Sequence, residues 1–72
     1  MQRTYEVAIY NEEVRTYLQQ GKRHQLDPRW AETHYMEIKA NSEQEARKAM
    51  ARRYPSDQGY VIVDVYPLKY ED

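Results

Sequence analysis

Residues 39–55 read KANSEQEARKAMARRYP, and the reading of this stretch decides the fold. Ser42, followed three residues later by Glu45, forms a capping box. The serine oxygen accepts from the N3 backbone N–H while the glutamate reaches back to the N-cap N–H. Ala46, Ala49, Met50 and the Arg53/Tyr54 position then recur on one face at helical spacing. Pro55 stops the run, because proline disfavours helical geometry in the residue before it. The stretch therefore predicts a helix over 43–54. Glu43 and Glu45 sit at its positive end and Arg52 and Arg53 at its negative end, as the helix dipole favours.

Working outward, both flanks alternate with the period of a strand. Before the helix, 33–40 places His34, Met36, Ile38 and Ala40 on one face and Thr33, Tyr35, Glu37 and Lys39 on the other. After it, PSDQG makes a turn into a strand over 60–66. Here strict alternation puts Val61, Val63 and Val65 on one face and Tyr60, Ile62, Asp64 and Tyr66 on the other. Pro67 ends that strand, and 67–72 reads as a tail.

The N-terminal half carries a third strand over 4–10, with Tyr5, Val7 and Ile9 opposed to Glu6, Ala8 and Tyr10. Asn11 caps a short helix over 12–20 that opens on Glu12 and Glu13 and closes at Gly21, a natural left-handed C′ residue. Val14, Tyr17 and Leu18 form its apolar stripe. The connection 21–32, GKRHQLDPRWAE, contains an Asp27-Pro28 pair that suits the N-cap and N1 of a single helical turn. Leu26 and Trp30 are expected to plug an edge of the core.

Two topologies fit this order of elements. An all-parallel sheet would need apolar residues on both faces, whereas one face here carries Glu6, Glu37, Lys39 and Asp64. The favoured arrangement is α+β. It is a three-stranded sheet in the order 2-1-3, with strand 1 antiparallel to both neighbours. The long helix covers one face as the crossover to strand 3, and the short helix is inserted between strands 1 and 2. The expected core is Val7, Ile9, Met36, Ile38, Val61, Val63 and Val65 beneath Ala46, Ala49 and Met50.

Composition narrows the functions open to one such domain. The chain has 72 residues, no cysteine, and 11 Lys and Arg against 12 Asp and Glu. A domain this small hides only about 60% of the surface its unfolded chain exposes, and no disulfide reinforces it. The near-neutral balance disfavours a protein that coats nucleic acid. There is no membrane-length apolar run, and the alternating residues 4–10 lack the apolar core of a signal peptide, so a cytoplasmic protein without membrane attachment is expected.

Candidate chemistry is sparse. His24 and His34 are ten residues apart, with neither cysteine nor the i, i+4 spacing of a helical zinc motif, so no metal is expected. Ser42 is used as a cap and Ser56 as a turn residue. No nucleophile elbow or phosphate-cradling glycine loop is present, so neither catalysis nor a cofactor is expected. Glu6 and Lys39 suit a cross-strand pair.

The KANSEQEARKAMARRYP stretch, with YEVAIY before it and GYVIVDVYP after it, resembles small bacterial and phage-associated proteins. In these a strand leads through an A-x-S-x-x-E-A motif into a helix and a last strand. Ala40, Ser42, Glu45 and Ala46 carry the resemblance. It implies a ββαβ-type core and assigns no site residues, and the segment 11–31 departs from the compact hairpin of that pattern.

What stands out is tyrosine: eight, with one Trp and no Phe. On the face away from the long helix, alternation gathers Tyr10, Tyr35, Tyr60 and Tyr66, to be covered by the short helix and Trp30, by a second copy, or by a partner. The expectation is a non-enzymatic accessory or protein-interaction domain, homodimeric or partner-binding, using Tyr10, Tyr35, Tyr60, Tyr66 and Trp30 with Arg23 and Arg29 at the rim. The alternative is a nucleic-acid-binding module using the loop cations and the exposed tyrosines.

Overall fold

The computed structural model describes residues 2–68. Strand β1 (Arg3–Asn11) is followed by helix α1 (Glu12–Gln19) and a 3₁₀ turn (Pro28–Ala31). Strand β2 (His34–Ala40), helix α2 (Glu43–Arg53), a second 3₁₀ turn (Ser56–Gln58) and strand β3 (Tyr60–Pro67) follow in that order. The sheet order is β2-β1-β3, with β1 antiparallel to both neighbours. The fold is therefore the α+β arrangement expected from the alternation.

Local chemistry accounts for each helix. In α2, Ser42 Oγ accepts from Glu45 N at 3.2 Å, while Glu45 Oε2 accepts from Asn41 N, also at 3.2 Å. The reciprocal half of the capping box thus falls one residue earlier than the motif predicts. In α1, Asn11 Oδ1 accepts from Val14 N at 3.1 Å. The helix closes with Gly21 N donating to Leu18 O and Lys22 N to Tyr17 O, with Gly21 at φ 70°. These paired bonds are the Schellman pattern, which favours glycine at the left-handed position. Of the α1 stripe only Val14 is buried, while Tyr17 and Leu18 remain exposed.

The core lies between α2 and one face of the sheet: Tyr5, Val7, Ile9, Ala40, Ala46, Met50 and Val65. Ala46 is fully buried, so its small side chain lets the helix approach the strands closely. Met36 and Ile38 pack against this cluster as expected.

One expectation about β3 is overturned. Pairing with β1 runs from Tyr5↔Pro67 to Ala8↔Asp64, then shifts to Ile9↔Ile62 and on to Asn11↔Tyr60. Val63 is bypassed as a bulge and is 53% exposed instead of lying in the core. An extra residue reverses the facing of everything on its N-terminal side. Tyr60 and Ile62 therefore join the α2 side, and Val61 moves to the side of Tyr10. Pro67, expected to lie beyond the strand, is its last paired residue, and Leu68 N still donates to Thr4 O at 2.9 Å. The remainder of the expected tail, 69–72, lies outside the described residues.

The bulge has a cause in two fixed points. At one, Val65 opposes Val7 inside the core. At the other, the turn before β3 is tied to the β1–α1 corner. Glu12 N donates to Gly59 O at 2.7 Å, and the buried Asn11 Nδ2 donates to Gln58 O at 3.1 Å. Between these pins β3 has one residue more than β1, and Val63 is the surplus.

Candidate functional site

The bulge and the 3₁₀ turn Pro28–Ala31 redistribute the aromatic residues. Asp27 Oδ1 accepts from Arg29 N at 2.9 Å, capping the turn as the Asp27-Pro28 pair predicts. This presents Trp30 to the core side of the sheet. Its ring centroid lies 4.4 Å from His34, 5.4 Å from Tyr54 and 5.2 Å from Tyr60. His34 Nε2 also meets Arg29 O at 2.8 Å, so this histidine is a packed and hydrogen-bonded strand residue. Burial, then the nearby Tyr54, raises the Tyr60 hydroxyl pKa. Trp30 and Tyr60 are thus parts of an aromatic cluster closing the core, not of the opposite sheet face.

That opposite face keeps three of the four expected tyrosines. Tyr10 lies beneath Arg15, whose guanidinium carbon is 3.7 Å from the ring centroid. The same side chain donates from Nε to Ala31 O at 2.9 Å, fastening α1 to the 3₁₀ turn. Tyr35 and Tyr66 are open, at 62% and 43% exposure. Among the described residues no helix covers them: α2 occupies the other side, and α1 sits at the Asn11 end of β1.

The register fixes the charges between these rings. Glu6 stands directly opposite Glu37 on one side and Tyr66 on the other, and Ala8 lies between Tyr35 and Asp64. Lys39 opposes Thr4, so the expected Glu6–Lys39 partnership is not the direct cross-strand pair. The Asp64 charge, reinforced by desolvation, a hydrogen bond from the hydroxyl to Asp64 and the proximity of Tyr35 and Glu6, raises the Tyr66 pKa. The face therefore combines two accessible rings with three carboxylates, and Lys39 lies at its Thr4 end.

The two loop arginines expected at its rim are used otherwise. Arg29 forms a forked pair with Asp27, with Nη2–Oδ2 at 2.8 Å. This lowers the Asp27 pKa to about 2 and raises that of Arg29. Arg23 lines a groove between α1 and the following loop, beside Lys22. The cation observed against a tyrosine of the sheet face is Arg15, which the sequence did not single out. Its position four residues after Asn11, one turn into a helix capped at the strand end, was the available signal.

Among the described residues, no group of three or more His, Asp or Glu side chains is placed to hold a metal ion. No helix there is long and apolar enough to cross a membrane. Comparisons with protein-family models, curated proteins and solved structures found no match. The fold and face together define a two-layer α+β domain with one sheet face packed and the other open.

Proposed function

We propose that this chain is a non-enzymatic protein-interaction domain whose binding surface is the open sheet face, and that its partner is a short basic polypeptide segment. The observation carrying this reading is the exposure of Tyr35 and Tyr66 on a face that also bears Glu6, Glu37 and Asp64. Accessible tyrosines offer flat apolar area with a polar tip, and cations interact favourably with both rings and carboxylates. A lysine or arginine side chain satisfies both features of the surface at once.

The same charges weigh against phosphate backbones on this face, and Arg29 is engaged by Asp27. On this face peptide binding is therefore better supported than nucleic-acid binding. The test is a titration followed by backbone amide NMR, using an Arg/Lys-rich peptide and a Glu-rich peptide of equal length. Saturable shifts centred on Tyr35, Glu37, Asp64 and Tyr66 are expected with the basic peptide alone. Tyr35→Ala/Tyr66→Ala should abolish them. Equal binding of the acidic peptide, or shifts that survive the double substitution, would remove this reading.

A further inference from the structure

The loop that the sheet face leaves unused builds a second concavity. Between α1 and the residues leading into the 3₁₀ turn lies an open groove of about 720 Å³. This falls within the roughly 300–1,000 Å³ of typical small-molecule sites. Its apolar lining is Val14, Leu18, Leu26 and Pro28, with Lys22 and Arg23 beside them. Val14 is buried, but Leu18 is 48% exposed, more than the apolar stripe of a packed helix requires.

The loop that forms this groove is braced. Lys22 N is bound to Tyr17 O at 2.8 Å by the helix closure. His24 accepts from Leu26 N at Nδ1 (3.1 Å), which leaves the proton on Nε2, facing Glu13 Oε1 at 3.1 Å. The His24 ring also meets Tyr17 edge-on, with centroids 4.8 Å apart. The imidazole thus ties the loop to α1 and places Leu26 on the groove wall.

Charge is unevenly satisfied here. Asp27, which also lines the groove, is paired with Arg29, and Glu13 accepts the hydrogen bond from His24. Lys22 and Arg23 have neither ion pair nor hydrogen-bonded side-chain partner among the described residues. Two cations over an apolar trough match a ligand with an anionic head and an apolar tail. A bare inorganic anion would leave the leucines unused, and a neutral apolar molecule would leave the cations unused.

We infer that this groove binds a small amphipathic carboxylate, the carboxylate meeting Lys22 and Arg23 and the aliphatic chain lying along Leu18, Leu26 and Pro28. This stands independently of the sheet-face reading. The test is an amide NMR titration of the full chain with sodium octanoate, with acetate and 1-octanol as probes lacking tail and charge. Octanoate is expected to give saturable shifts at Leu18 and across 22–26. Its affinity should be at least about tenfold above 1-octanol, since one charge-assisted hydrogen bond is worth that factor, and at least about tenfold above acetate, since burying about two methylenes is worth as much. Lys22→Glu/Arg23→Glu should cost about tenfold or more on the same ground. The exposed Leu18→Asn should also weaken binding, and Arg47→Glu on α2 should leave it unchanged. The amide spectrum verifies the fold of every variant. Octanol binding as tightly as octanoate, unaltered affinity in the charge-reversed variant, or no saturable shift below the octanoate micelle concentration would each overturn the inference.

Discussion

Asn11 shows how much a single side chain carries in this small domain. It is fully buried, its oxygen caps α1 through Val14 N, and its nitrogen holds Gln58 O, so one amide joins three segments. Gly59 is the matching piece. At φ 95°, an added Cβ would stand 2.7 Å from Asn11 Oδ1 and 3.0 Å from Glu13 Cβ. Gly59→Ala should therefore destabilise the fold by about 1–3 kcal/mol in urea unfolding, from left-handed strain and the displaced amide. Asp27 gives a pH signature. Its carboxylate is favoured in the folded state, with the pKa lowered from 3.8 to about 2 by the Arg29 hydrogen bonds, aided slightly by His34. The resulting stabilisation is complete above 3.8 and lost as pH falls toward 2. Trp30 fluorescence, reporting on the adjoining turn, should follow this window, and Asp27→Asn should remove that dependence while keeping a capping side chain.

At the scale of elements, β3 separates local pattern from tertiary constraint. Strict alternation makes Val63 a core residue and Ile62 a surface one, whereas the bulge makes the reverse true. Val63→Thr, which keeps a β-branched side chain at an exposed site, should change stability within about 0.5 kcal/mol. Ile62→Thr places a hydroxyl against the core cluster and should cost about 2 kcal/mol. Equal costs in chemical denaturation would contradict the register described. The helices, the strand order and the packed faces of β1 and β2 were legible in the sequence because caps, period and alternation are local signals. The bulge was not, since it arises from two pins that alternation does not encode: Val65 against Val7, and the Asn11–Gln58 bond. The site shared that fate. Tyr35 and Tyr66 lie on the C-terminal side of any slip or on an unslipped strand, and their facing was readable. Tyr60 lies beyond the slip, and Trp30 takes its direction from the 3₁₀ turn and the cluster it meets.

For the whole molecule, the open face raises the question of why two copies should not join through it. Its footprint is small. Three strands about 4.8 Å apart and seven residues long at about 3.4 Å each present on the order of 340 Å², against roughly 800 Å² per partner in a standard interface. A two-fold pairing would also bring Glu6, Glu37 and Asp64 of one copy toward the same groups of the other, and like charges so placed cost several kcal/mol. Both arguments favour a narrow cationic segment over a second copy. Light scattering at about 0.15 M salt should therefore give a monomer, the charges being only partly screened over a Debye length of about 8 Å. Glu6→Gln/Asp64→Asn removes repulsion while leaving Tyr35 and Tyr66 open, so it should increase self-association and weaken binding of the basic peptide together. A wild-type dimer that dissociates in Tyr35→Ala/Tyr66→Ala would instead assign this face to self-pairing. If neutralisation left both oligomeric state and peptide affinity unchanged, the carboxylates would have no part in partner choice.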